Sequence, residues 1–458
     1  MRKVIGGLLA LGVAAAAVPA AEAETIGAAM RCAGRTATIV SDDREVAGTP
    51  GADVIVVRAR RAEVDAGAGD DRICVRGRGG YIFVEAGAGN DRIEVEARTY
   101  AYAALGAGRD TYVGGAGTDT VVSGVPGDVN RDRIRLAGGA DVVSLEQGAD
   151  HRGAVLVGGA GHDQLRLQVR EGALHVDSAA QLATHRGAPY ATWRSFEAHA
   201  MYSAGAQLFT GSEGDDEVHF GGWGAVTATT LGGDDAVHLS VEADVPTSAV
   251  PQGARSSART PASRITLDLG LGRDELGLTS WDALVRADLA LARVELSSGA
   301  DTTGSFGFAG VEDLAVRAET TSRRDSPTRV VLVGDDQDNR LQADGCRVEL
   351  AGGGGDDHLR VGFPPPDSFL VVGGQQPKTC RRSSAVGGGT GDDVLASRAM
   401  DLDLSGVDIE DLEGGGDVVR VIEVPVRDVF DGGEGHDTAD AGKGTDSCVA
   451  EVRVDCES

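Results

Sequence analysis

Gly158-Gly159-Ala160-Gly161-His162-Asp163-Gln164-Leu165-Arg166 is one copy of a pattern that returns along the chain: two glycines, any residue, a glycine, any residue, an aspartate, any residue, an aliphatic. Full copies also begin at Gly114-Gly115, Gly352-Gly353, Gly388-Gly389 and Gly432-Gly433, with their aspartates at Asp119, Asp357, Asp393 and Asp437. Looser copies place aspartates at Asp71, Asp91, Asp110, Asp274 and Asp446. One copy, ending at Asp216, has serine for its second glycine, and shortened ones end at Asp141, Asp235 and Asp417. Two residues beyond the aspartate the chain is nearly always apolar, as at Ile73, Ile93, Tyr112, Val121, Leu165, Leu276, Leu359 and Leu395.

Glycine reaches positive φ without steric cost, so each motif reads as a turn. The alternation that follows, Ile93-Glu94-Val95 or Leu165-Arg166-Leu167, reads as a short half-buried strand. One turn and one strand bury no core alone; stacked copies do, because equivalent aliphatic side chains form a continuous ladder. The spacing fits stacking: Asp71 to Asp91 is 20 residues, Asp91 to Asp110 is 19, Asp216 to Asp235 is 19 and Asp417 to Asp437 is 20. Steps near 20 put acidic turns on one edge of a coil, whose other edge carries unrelated sequence such as Arg58 to Arg61. The 9-residue steps from Asp110 to Asp119 and from Asp437 to Asp446 predict acidic turns on both edges. The expected fold is all-β, a parallel β-roll or β-solenoid of Gly/Asp-rich turns and short strands with an irregular middle section.

These residues resemble the haemolysin-type calcium-binding repeats of the repeats-in-toxin (RTX) family, whose consensus Gly158 to Arg166 matches throughout. The resemblance implies a β-roll with Ca2+ held between neighbouring coils by aspartate carboxylates and glycine carbonyls. Carried over motif by motif, it implies metal ligands at Asp71, Asp91, Asp110, Asp119, Asp163, Asp216, Asp274, Asp357, Asp393, Asp437 and Asp446. Three longer features also look like the family: Ser195-Phe196-Glu197, Val311-Glu312-Asp313-Leu314 and Ile409-Glu410-Asp411-Leu412. Each reads as part of a larger unit in which a strand-rich excursion separates two glycine turns. The middle departs from the pattern, with a Pro/Ser/Arg-rich loop from Pro246 to Ser263, a polar run from Thr320 to Thr328, and Asn339 where the motif wants aspartate. Toxin or protease activity is not carried over, because no separate catalytic or membrane-active domain is recognisable.

Composition agrees with a shallow layered core. Of 458 residues 68 are glycine, aromatic residues are 4%, and the hydrophobic fraction of 41% exceeds that of a disordered chain. The 71 acidic and 43 basic residues give a net charge of −28, which repels nucleic acid and anionic lipid and makes cations the natural partner. Met1-Arg2-Lys3, the apolar run Val4 to Val18 and the small residues up to Ala23 read as a secretory signal, so the mature chain is expected outside the cell with no membrane span. Export permits disulfides among Cys32, Cys74, Cys346, Cys380, Cys448 and Cys456. Proximity favours Cys32 with Cys74, Cys346 with Cys380 and Cys448 with Cys456. The organisation reads as a signal over 1–23, a repeat solenoid over 24–166, a diverged section over 167–345 and a second repeat solenoid over 346–458.

Motifs for catalysis are missing. There is neither Gly-x-Ser-x-Gly nor His-Glu-x-x-His, and Gly444 stands where a phosphate loop needs Ser or Thr after Lys443. His162 and His436 lie in motifs at a variable position and read as solvent-facing turn residues. The expected function is a secreted, non-catalytic calcium-binding repeat protein. Two other readings compete: a cell-surface adhesive or matrix protein with a surface or polysaccharide partner, and a solenoid enzyme acting on acidic polysaccharide through arginines such as Arg264, Arg323 and Arg381. Gly-Asp turns can also cap coils with no ion at all.

Overall fold

The computed structural model describes residues 30–77, 79–96, 98–242, 260–281, 284–297, 303–319, 328–362, 383–397, 400–403, 420–423, 427–442 and 446–456. The signal segment, the Ile409 to Leu412 feature, Asp417, Arg323, Arg381, Cys380 and part of the Gly442 turn lie outside them. Each coil crosses between two walls of short strands. One wall is a single parallel ladder that starts at Glu45–Ala47, Arg61–Asp65 and Tyr81–Glu85 and ends at Val394–Ser397, Thr438–Asp440 and Val452–Val454. The facing wall is a 13-stranded sheet followed by an 8-stranded one. Among the described residues no helix is long and apolar enough to cross a membrane.

The residue two beyond each motif aspartate points inward and stacks on its equivalents. In the first part of the facing wall Ile55, Ile73, Ile93, Tyr112, Ile134 and Leu156 pair in that order and are all buried. Burying one such side chain stabilises by roughly 1.5–3 kcal/mol, so the ladder offsets the entropy of ordering many short strands. On the long wall the matching row runs Val143, Leu165, His199, Val218, Val237 and Leu276.

Two excursions break the coil rhythm. Leu174–Asp177, Leu182–His185 and Ala188–Arg194 form an antiparallel meander before the chain rejoins the long wall at Ala198–Ser203. Leu284–Asp288, Arg293–Ser297 and Thr303–Gly307 do the same before Asp313–Glu319. These are the strand-rich excursions the sequence led us to expect after Asp163 and Asp274. Disulfides join Cys32 to Cys74 and Cys448 to Cys456, and Cys346 is also disulfide-bonded.

Candidate metal centres

Gly87 and Gly89 show why the turns are made of glycine. Both have positive φ, and a Cβ on either would lie 1.9 Å from the carbonyl oxygen of its equivalent one coil earlier, Gly67 or Gly69. Stacked turns therefore set each glycine's α-carbon against a carbonyl oxygen of the turn before, and the motif aspartate that follows each turn is buried.

The aspartates form columns. The backbone N–H of Asp71 donates to Asp91 Oδ1 at 2.8 Å, that of Asp91 to Asp110 Oδ1 at 2.8 Å, and that of Asp110 to Asp132 Oδ1 at 2.9 Å. Asp53 begins this column by donating to Asp71 Oδ1. On the opposite edge Asp119 donates to Asp141, Asp141 to Asp163, and Asp163 to Glu197. The same edge continues as Asp216, Asp235, Asp274 and Glu312, and then as Asn339, Asp357, Asp393, Asp437 and Glu451. Asp428 donates to Asp446 on the first edge, near the end of the chain. Acidic turns thus occupy both edges at Asp110/Asp119 and at Asp437/Asp446, as the 9-residue steps predicted.

Most rungs use one carboxylate oxygen in the column and leave the other without a donor. The second oxygens of Asp71, Asp91, Asp110, Asp141, Asp163, Asp235, Asp274, Asp357 and Asp393 are buried with no hydrogen-bond partner among the described residues. A buried unpaired carboxylate oxygen is costly, and the protonation equilibria register the strain. Burial, reinforced by neighbouring carboxylates, pushes Asp110 up to about 8 and Asp119, Asp274 and Asp357 up to about 7. Asp91 and Asp141 are raised by burial to about 6.

Not every rung is open. Asp216 is saturated, with Oδ1 accepting from Ser178 Oγ and Oδ2 from the Ser212 N–H and hydroxyl. Asp53 is saturated by Thr38 and Thr49, and Asp132 accepts from Ser123 Oγ as well as from Asp110. Asn339 is neutral, its amide donating to Glu312 O and its Oδ1 accepting from Asp335 N–H.

Several rungs were not among the expected ligands. Asp141 and Asp235, whose motifs are shortened, stand in their columns as the full copies do. Glu197 and Glu312 take the aspartate's place where an excursion rejoins the wall, and the Phe196-Glu197 and Val311-Glu312 patterns were the available signal. Asp53, Asp132, Asp428 and Glu451 follow no glycine motif that distinguishes them.

The residues fit a hard cation. Ca2+ takes about six to eight oxygens, and these turns supply orphaned carboxylate oxygens beside stacked glycine carbonyls. A second, exposed row adds carboxylates next door: Asp356 N–H donates to Asp338 Oδ1 and Asp392 N–H to Asp356 Oδ1. The family model of the RTX calcium-binding nonapeptide repeat (4 copies) matches residues 105–122 and 427–450, which hold the Asp110/Asp119 and Asp437/Asp446 pairs. A search of curated proteins found no match.

Proposed function

Because the chain carries RTX calcium-binding nonapeptide repeats, which bind Ca2+, we propose that it is a secreted, non-catalytic protein whose solenoid is held together by calcium between stacked Gly/Asp turns. The observation that carries this reading is the set of buried, unpartnered second oxygens on consecutive column aspartates. Asp71, Asp91 and Asp110 would hold ions on one edge, Asp119, Asp141 and Asp163 on the other, and Asp357, Asp393 and Asp437 toward the C-terminus, with Asp274 and Asp446 contributing at their own turns. Bound calcium supplies positive charge where desolvated carboxylates otherwise repel, so metal-binding free energy becomes folding free energy. Asp216 serves the fold through Ser178 and Ser212 and acts as a closed end of its column. The secreted location rests on the Met1 to Ala23 pattern and on the disulfides.

Circular dichroism of the mature, disulfide-intact chain, titrated with calcium and then magnesium at matched ionic strength, tests the reading. A calcium-specific, chelator-reversible gain of β signal is expected. A chain that is fully folded without calcium and binds none at millimolar concentration would leave the turns as structural caps.

A further inference from the structure

The outer surface of the long wall carries a second cluster of metal-ligating side chains, beside the turn column but distinct from its aspartates. In adjacent strands Glu217, Ala236 and Glu275 are register partners, and so are His219, His238 and Gly277 two residues on. Val218, Val237 and Leu276 between them are buried inward, so these two rows face outward. His219 Nε2 lies against Glu217 Oε1, and the rings of His219 and His238 stack with centroids 4.4 Å apart and 17° between planes. One ligand atom from each of Glu217, His219 and His238 falls within 4.8 Å of the others. His162 Nε2 reaches the remaining oxygen, Glu217 Oε2, at 2.8 Å.

Gly277 marks this as a built site. It lies inside the strand Glu275–Trp281 without positive φ, so no turn requires glycine there. A Cβ at 277 would come within 2.1 Å of His238 Nδ1, so the imidazole occupies the space a side chain would take. Glycine weakens a strand interior, and here it makes room for a ring. Ala198, Ala200 and Ala236 keep the neighbouring positions small. His238 makes no hydrogen bond through either ring nitrogen to the described residues.

Two imidazoles and one carboxylate are a donor set for a borderline ion of the zinc class rather than for calcium, which prefers oxygen alone. We propose that Glu217, His219 and His238 form a second metal site that takes a divalent transition ion such as Zn2+, with His162 orienting Glu217 from the neighbouring turn. Bonds of about 2 Å require the three groups to converge from their present spacing by side-chain rotation on a rigid sheet. Three protein ligands leave a coordination position open to a small anion or water.

The test is a titration of the full, calcium-saturated chain with Co2+ alone, followed by its visible absorption. We expect one Co2+ per chain with the strong bands of a four- or five-coordinate ion, displaced by Zn2+ and not by Mg2+. Glu217→Gln and His219→Ala should abolish the bands while leaving the circular dichroism spectrum unchanged, and the half-exposed position of His219 makes its loss tolerable to the fold. His436→Ala, in a calcium turn, should leave the bands intact. Absence of the bands in the unmodified chain, their survival in His219→Ala, or their loss in His436→Ala would each overturn the assignment.

Discussion

The coils from Arg61–Asp65 to Asp119–Ser123 and the stretch from Glu275–Trp281 to Arg340–Asp344 solve the same problem with different chemistry. Both must place a polar group at each turn to accept the N–H of the preceding coil. In the first region the group is an aspartate at steps of 18 to 22 residues, and Asp71, Asp91 and Asp110 each keep a buried orphaned oxygen. In the second, past Asp274 and its own orphaned oxygen, a positive charge or an amide is built in beside the column residue Glu312. Arg273 donates to both oxygens of Asp313, at 3.0 and 2.9 Å, and Asn339 satisfies its own rung without charge. On the proposed reading, a solenoid turn needs an ion only where its carboxylate has no donor of its own.

The largest effect that could break this comparison is calcium removal. With chelator, amide hydrogen exchange should show the strands from Arg61–Asp65 to Gln164–Val169 losing protection, and those from His358–Val361 to Thr438–Asp440 with them, while Asp313–Glu319 and Arg340–Asp344 stay protected. Equal opening in both regions would mean that the guanidinium and amide do not replace an ion.

Acidity gives the next test. In the metal-free protein the folded values of Asp91, Asp110, Asp119 and Asp357, about 6 to 8, lie above the ordinary 3.8, so the folded state keeps protons the unfolded chain has released. Their contribution is fully present below the ordinary value and is lost as pH rises through about 6 to 8. The urea midpoint without calcium should accordingly fall from about pH 5 to about pH 8, whereas with saturating calcium it should hold or rise. A metal-free midpoint that climbs over this range would show that these carboxylates find partners in solution.

Arg273→Ala should cost about 1 kcal/mol in urea unfolding, because it removes the hydrogen-bond donor of the buried Asp313 Oδ2 while Oδ1 keeps the Arg340 N–H. The loss should be the same with and without calcium. Asp110→Asn keeps the acceptor for Asp91 N–H, so it should instead raise metal-free stability while weakening calcium's stabilising effect. The last expected change, also about 1 kcal/mol, is for Asn339→Asp. It should lower metal-free stability and gain it back on adding calcium, turning a rung of the middle into one of the N-terminal kind.

Much of this was legible in the chain. The Gly-x-Gly-x-Asp turns, the aliphatic two residues later and the steps near 20 dictate a parallel coil with acidic edges, because only glycine tolerates the stacked carbonyl beside Gly87 and Gly89, and only an apolar residue suits the inner row. His199 is the exception in that row: it is fully buried between Leu165 and Val218 with neither ring nitrogen partnered among the described residues, an identity no periodicity announces.

What the sequence determined by itself is local, namely where the chain turns, which residues face inward and which aspartates enter a column, since those depend on φ, side-chain size and spacing within a few residues. Local donors such as Ser212 and Thr49 close one oxygen of Asp216 and Asp53, but the tertiary structure decided the rest. Ser178 closes Asp216 from 38 residues away, Arg273 reaches Asp313 across 40, and Glu197 and Glu312 complete columns after excursions of 34 and 38. Whether a buried carboxylate needs a cation depends on the donors within hydrogen-bond reach of it, and the excursions set that distance by how far they carry the chain before it returns to the wall.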